Sequence, residues 1–153
     1  MDANTRVTNS SVTITDYSRA KLALGGNYYN KYTVINLDGA AELVLPKGTV
    51  MGLITDAGAN AGKMTPFDST ATNGSQVPVA VCNSDRTLAA SAQASVSMII
   101  DGEVDESLLI FANSPTDGLD ITIDTVGTPR NLLMANSAGI KPVYVTDSTF
   151  YDN

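Results

Sequence analysis

Short stretches rich in β-branched and aromatic residues recur along this chain, and glycine or proline bounds most of them. Residues 28–37 lie between Gly25-Gly26 and Asp38-Gly39. Residues 49–55 follow the turn sequence Pro46-Lys47-Gly48. β-Branched and aromatic side chains favour extended backbone, whereas glycine and proline favour turns. The pattern therefore predicts a mainly β fold made of short strands.

Other segments predict further strands by the same signals. These are residues 42–45, 77–81, 95–100, 120–124 and 142–146. Gly52 predicts a bulge or a close approach of two backbones, and Pro78 predicts an edge position or the start of a strand. Asp101-Gly102 is expected to end the strand before it. Residues 107–111 are apolar enough to be buried, as a strand or a short helix.

The segment that follows the strand 49–55, residues 56–76, is rich in small and hydroxyl residues. Its stretch from Met64 to Gln76 is predicted to begin as a turn and continue as a surface loop. Residues 89–94 are predicted to form another loop. The stretch that begins at Met64 carries neither an acid–base pair nor a cluster of metal ligands, so packing between subunits suits it better than catalysis.

Helix signals occur together near the C-terminus. Thr128 is suited to the N-cap, Pro129 to the first helical position, and Gly139 to the left-handed residue after a helix. Leu132, Leu133 and Met134 are expected to form one apolar side. The sequence therefore predicts one short helix near the C-terminus, before the last strand, within a single domain spanning residues 21–153.

Residues 1–20 are polar and are predicted to form a flexible N-terminal arm. A weak strand signal lies within them, at Val7, Val12, Thr13, Ile14 and Thr15. Two interpretations are open. One is an unstructured terminus, and the other is an arm that adds a strand to a partner's sheet edge through backbone hydrogen bonds.

Charge and composition exclude several classes of partner. The net charge is −7, and the 9 basic residues are dispersed, so direct nucleic-acid binding is not expected. Neither a signal peptide nor a membrane-spanning segment is predicted, which favours a soluble protein made in a reducing cytoplasm. Cys82 lies in an apolar run and is expected to be a buried thiol.

The chain contains no histidine, which removes the commonest general base and histidine-dependent triads. Asp101, Glu103 and Asp105 alternate, and three carboxylates can hold Ca²⁺, but a solvated acidic turn is the favoured interpretation. Asp124-Thr125 resembles part of an aspartic-protease turn, but Val126 separates the threonine from the glycine. We therefore predict no enzymatic activity, no metal and no cofactor.

Four segments together resemble the head decoration proteins of lambda-like tailed phages. They are PKGTVMGLIT at 46–55, GKMTPF at 62–67, TNGSQVPVAV at 72–81 and VSMIIDGEV at 96–104. Within them, the positions expected to be structural are Pro46, Gly48, Thr49, Gly52, Pro66, Gly74, Gly102 and Glu103. The resemblance covers about residues 46–111, and the regions before Pro46 and after Phe111 have no identified counterpart.

The resemblance implies a compact, mainly β domain of β-clip or β-tulip type, with an extended N-terminal arm. It implies a structural virion protein, made in the host cytoplasm, that binds the major capsid protein on the outside of the expanded head. Trimers are expected at three-fold and quasi-three-fold positions, where they stabilise the capsid against packaged DNA. The family's arm tends to gain order on the capsid, which agrees with the weak strand of residues 12–15.

Three alternatives stay open on the sequence alone. A tail or fibre β-module shares the composition, although no repeat is visible. A carbohydrate-binding β-domain would use Tyr28, Tyr29 and Tyr32 as a stacking platform. A carboxylate enzyme would use Asp101, Glu103 or Asp124.

Overall fold

The computed structural model describes residues 21–123, 127–136 and 139–145, and it confirms a mainly β fold with one short helix near the C-terminus. The eight strands are β1 (Ala23–Ile35), β2 (Leu43–Leu45), β3 (Val50–Leu53), β4 (Met64–Pro66), β5 (Pro78–Cys82), β6 (Arg86–Leu88), β7 (Gln93–Asp105) and β8 (Ile140–Val143). A 3₁₀ helix spans Glu106–Leu108, and helix α1 spans Pro129–Asn136.

Six strands form one sheet that closes into a barrel-like core. Their order is β1-β4-β3-β5-β7-β8, and β7 also pairs with β1. The β1–β7 pairing is antiparallel and runs from Ala23 opposite Val104 to Ile35 opposite Gln93. β4 joins β1 in parallel at Val34, and β8 joins β7 in parallel outside the closed ring. Strands β2 and β6 form a separate antiparallel pair.

Buried side chains lie on both sides of the barrel wall. The first cluster has residues from all five strands of the ring and so fills its interior: Val34, Leu45, Met51, Met64, Ala80, Cys82, Leu88, Val96 and Met98. The second lies on the other face of β5 and β7: Leu22, Val81, Ile99, Val104, Leu133 and Ile140. The third contains Val50, Phe67, Ile123 and Leu132. Alternating side chains of β5 and β7 therefore serve two clusters.

Several local predictions are confirmed. Pro78 is the first residue of β5, an inner strand, which fits its missing backbone donor. Thr128 caps helix α1, since its hydroxyl oxygen accepts from the backbone N–H of Asn131 at 3.4 Å. The helix begins at Pro129. Gly139 has the expected positive φ, +102°, although the helix ends three residues before it, at Asn136.

Other local predictions are wrong. Asp101-Gly102 does not end β7, because the register against β1 shifts opposite this point and the pairing with β1 continues to Val104, while β8 pairs as far as Asp105. Residues 64–66 form strand β4 instead of a turn, because β3 and β1 both pair with them. β7 begins at Gln93, inside the predicted loop 89–94.

The predictions for residues 107–124 and for the helix face also need correction. Within 120–123, Ile123 makes an isolated bridge to Gly127 but no strand forms, and Asp124 lies outside the described residues. Residues 107–111 are not fully buried, and Ile110 is 37% exposed. On α1, Leu132 and Leu133 are buried but Met134 is 44% exposed, because Met134 faces away from the sheet.

Cys82 is buried in the barrel interior, as predicted, and its thiol donates to the carbonyl oxygen of Ser84 at 3.1 Å. Burial raises the pKa of this thiol above its ordinary value. The thiolate is the reactive form of cysteine. The fold therefore protects Cys82 both by excluding reagents from the thiol and by keeping the thiol protonated.

We therefore expect Cys82 in the folded protein to react very slowly with a thiol reagent such as DTNB at mildly alkaline pH. The same protein in guanidinium chloride is the control and should release one equivalent of chromophore per chain at once. Rapid stoichiometric labelling without denaturant would contradict the burial of this side chain.

Candidate functional site

The motif residues Pro46, Gly48 and Thr49 form the turn that leads into β3. The Thr49 hydroxyl donates to the carbonyl oxygen of Pro46 at 2.7 Å, and Thr49 itself is buried. The backbone N–H of Gly48 donates to the carbonyl oxygen of Cys82 at 2.8 Å, and Ile110 N–H donates to the carbonyl oxygen of Gly48 at 2.9 Å. This turn therefore joins β5 to the segment after the 3₁₀ helix.

The loop from Phe67 to Val77 lies directly on β3. A Cβ atom at Gly52 would stand 2.2 Å from the carbonyl oxygen of Ser75, so only glycine leaves room for the loop backbone. Gly74 has φ +103°, and a Cβ there would stand 2.2 Å from the Thr55 hydroxyl. Two motif glycines thus permit the contact between loop and strand.

Hydrogen bonds hold the same loop in one conformation. Asp117 is 4% exposed, and its carboxylate accepts from the Ser69 hydroxyl at 2.5 Å and the Ser69 N–H at 3.3 Å. The carbonyl oxygen of Asn73 accepts from Thr55 N–H at 2.9 Å. A hydrogen bond from the Thr70 hydroxyl lowers the pKa of Asp68. The polar groups of the loop are thus used to order its own backbone.

Two of the three acidic residues of β7, Asp101 and Asp105, use their carboxylates in local hydrogen bonds, whereas Glu103 contributes its backbone carbonyl. The Asp101 carboxylate accepts from Gly102 N–H at 2.6 Å. The Asp105 carboxylate caps the 3₁₀ helix by accepting from the Ser107 N–H at 3.0 Å, and it also accepts from the Ser107 hydroxyl at 2.7 Å. The carbonyl oxygen of Glu103 accepts from the Asn27 side chain at 2.9 Å. Within the described ranges, no three side chains of the metal-binding types come together. Apart from that of Glu103, the described polar side chains of this region thus make hydrogen bonds within the domain.

The described part of the chain begins beside a buried residue. Leu22 is 2% exposed and packs in the second hydrophobic cluster, and its carbonyl oxygen accepts from Asp105 N–H at 2.9 Å. The candidate arm residues Val7, Val12, Thr13, Ile14 and Thr15 lie outside the described residues. Leu22 therefore anchors the residues directly before β1 to the hydrophobic core.

Comparison with protein families shows to which family the chain belongs. The family model described as bacteriophage lambda head decoration protein D matches residues 3–124. The chain belongs to this family. No curated protein matches it. The decoration protein thus resembles its family over a longer stretch than residues 46–111, and the expectation that the segment before Pro46 has no counterpart is wrong.

Membership makes this decoration protein a structural component of the phage head, with a capsid-binding role on the exterior of the virion. The family is one of structural capsid proteins and not of enzymes. In the part of the chain that the structure describes, no helix has the length and apolar character needed to span a membrane.

The last part of the decoration protein, after residue 124, lies outside the family match but is tied into the domain. The Arg130 guanidinium pairs with Asp120 at 2.8 Å and with Glu106 at 2.6 Å. The hydrogen bond from Arg130 lowers the pKa of Asp120, and both carboxylates raise the pKa of Arg130. Helix α1 is thereby joined to the loop before it and to the 3₁₀ helix.

The three tyrosines proposed as a sugar-stacking platform do not share one environment. Tyr28 and Tyr29 of β1 are 68% and 52% exposed, whereas Tyr32 packs against the barrel interior cluster. The structure thus leaves two rings, not three, available at this surface.

Sequence reasoning missed three residues that shape the decoration protein: Leu22, Asp117 and Arg130. Each acts through a partner distant in the chain, so periodicity and turn chemistry carry no signal for it. The buried carboxylate of Asp117, for example, bonds to Ser69 of another loop. The one available signal was an apolar residue directly before the first strand, since Asp117 and Arg130 have mostly polar or small neighbours in the sequence.

Proposed function

We propose that this protein binds the major capsid protein on the outer surface of the expanded phage head. It does so as trimers at three-fold and quasi-three-fold positions, and it stabilises the shell against packaged DNA. It is made in the host cytoplasm and assembles onto the head afterwards. The observation that carries the proposal is the family match over residues 3–124, which includes nearly all of the N-terminal arm as well as the barrel.

The arm, residues 1–20, is the segment proposed to bind first to the capsid, and residues 21–153 form the decoration domain. Val12, Thr13, Ile14 and Thr15 are proposed to add a strand to a sheet edge of the capsid protein, since backbone hydrogen bonds need no continuous apolar run. A partner that binds the folded protein stabilises it by mass action, and three arms in one trimer multiply the effect.

Two features of the domain support a role in stabilising the capsid. The motif positions Pro46, Gly48, Thr49, Gly52, Pro66, Gly74, Gly102 and Glu103 lie in turns and strands of the barrel, and we propose that they act by holding its shape. The loop on β3 is ordered by its own hydrogen bonds, so little further conformational entropy is lost when it packs against a neighbour.

An image reconstruction of the source particles tests this arrangement. We expect protruding density with three copies of the barrel around each three-fold and quasi-three-fold position. Density confined to the tail, or to fibres, would refute the proposal and favour a tail or fibre β-module.

A further inference from the structure

Strand β1 presents two successive tyrosines, Tyr28 and Tyr29, on one face of the sheet. Both side chains are more than half exposed. Successive side chains of a regular strand project to opposite faces. Here the register against β7 shifts between them, so that Tyr28 lies opposite Asp101 and Tyr29 lies opposite Ile99, two residues away on β7. Because directly opposite residues share a face, the irregularity directs both rings to the same side.

A groove adjoins these rings, since Asp101, the residue opposite Tyr28, is part of its lining. Its volume is about 410 Å³, which lies within the range of small-ligand sites. A Cβ at Gly102 would stand 2.7 Å from the backbone of Asn27, so the close approach of β1 and β7 excludes a side chain there. Four glycines in all leave the wall of the groove free of side chains: Gly25, Gly26, Gly102 and Gly139.

Three charged side chains bring hydrogen-bonding groups to the groove: Asp101, Glu103 and Lys141. The Asp101 carboxylate offers about four acceptor positions, and the Gly102 N–H occupies one of them. Glu103 and Lys141 are opposite each other on β7 and β8, but these two described residues form no ion pair. Their carboxylate and ammonium groups can therefore accept from and donate to a polar ligand.

We propose that this groove and the rings of Tyr28 and Tyr29 bind a neutral glycan. The apolar C–H face of a sugar can lie on an aromatic ring while the sugar hydroxyls bond to the charged groups of the groove. The lining carries two carboxylates and one ammonium group, so its net negative charge disfavours an acidic sugar. Charged residues are depleted at the centres of protein–protein interfaces, which favours a glycan over a protein partner here.

Glycan binding is a second role, and it does not depend on the proposed function. The protein lies on the exterior of the virion, where the site can meet sugars of the surroundings. Repetition of one site over a particle raises the avidity without any new contact. A dissociation constant of about 1 mM for each site is therefore sufficient for attachment.

Two-dimensional ¹H–¹⁵N NMR of the full-length protein tests the site with three neutral probes: lactose, maltotriose and diacetylchitobiose. Each is added to about 10 mM, tenfold above the expected dissociation constant. We expect at least one probe to shift the amide signals of the groove glycines, Gly25, Gly26, Gly102 and Gly139. No shift at these signals with any of the three probes would overturn the proposal.

Substitution of both tyrosines, Tyr28→Ala with Tyr29→Ala, should weaken binding of the active probe about tenfold or more, because the stacking surface is lost. Tyr144→Ala is the matched control. Tyr144 is as exposed as Tyr28 but lies outside the groove lining, so this variant should bind the probe within about twofold of the wild-type protein. The same spectra report whether each variant is folded.

Equal affinities in the double variant and the control would refute the role of the two rings. Co-sedimentation with expanded capsids separates the glycan from a protein partner, and the double variant should keep wild-type capsid binding. Loss of capsid binding by the double variant, without sugar-induced shifts in the wild-type protein, would assign the rings to a protein interface and overturn the glycan site. Failure of the wild-type protein to bind capsids would contradict the proposed function alone.

Discussion

Deletion of residues 2–18 is expected to lower the affinity for expanded capsids about 100-fold or more while leaving the domain folded. A strand added over Val12–Thr15 would make several backbone hydrogen bonds, each contributing about 0.5–1.5 kcal/mol net. A total near 3 kcal/mol corresponds to roughly 100-fold in the dissociation constant. The fold should persist because Leu22, which is buried in the second hydrophobic cluster, is retained.

Co-sedimentation with capsids measures the binding of this truncated protein, and circular dichroism reports whether it is folded. A matched pair of substitutions isolates the backbone contribution. Thr13→Pro removes a backbone donor and should weaken binding severalfold more than Thr13→Ala. Unchanged binding by the truncated protein would refute the arm hypothesis, whatever the behaviour of the point variants.

Gly52→Ala is expected to reduce the free energy of unfolding by about 3 kcal/mol, the upper part of the range for overpacked sites. The added methyl group would stand 2.2 Å from the carbonyl oxygen of Ser75, and that neighbour is backbone, which cannot rotate away. The steric clash can therefore be relieved only if β3 and the loop move apart. The same shift would disturb the register irregularity that β3 already has against β5 at Met51 and Gly52.

Gly25→Ala is the matched control for this substitution. Gly25 is also in a strand, its φ lies outside the left-handed region, and no heavy atom lies within 4 Å of the place that the new methyl group would take. The free energy of unfolding of the Gly25→Ala variant should differ from that of the wild-type protein by less than about 1 kcal/mol, because the new methyl group extends into open space. Denaturant unfolding of the two variants and the wild-type protein measures both values. Similar stabilities for the two variants would contradict the close packing of the loop on β3.

The sequence predicted those parts of the fold that depend on local chemistry. The cap at Thr128, the helix start at Pro129 and the strand start at Pro78 each follow from backbone donors and dihedral preferences within a few residues. Gly52 was predicted to mark a bulge or a close approach, and it marks both.

Long-range pairing could not be predicted in the same way. β4 is a strand because β1 and β3 supply partners for three residues, and β7 extends to Asp105 because β1 and β8 pair with its end. No local sequence pattern indicates which distant segment will pair with a given strand. The ion pairs of Arg130 and the hydrogen bonds between Asp117 and Ser69 could not be predicted for the same reason, because their partners are distant in the sequence and meet only in the folded chain.

The family was indicated by the order and spacing of four motifs along the chain, because no single motif is diagnostic. These motifs covered residues 46–111, and the family match extends this to residues 3–124.

The most direct test of the proposed role is the molar ratio of this protein to the major capsid protein in purified source particles. Trimers on every three-fold and quasi-three-fold position predict a ratio close to one to one, measured by quantitative mass spectrometry or gel densitometry. A few copies per particle, or absence from particles, would contradict a decoration role.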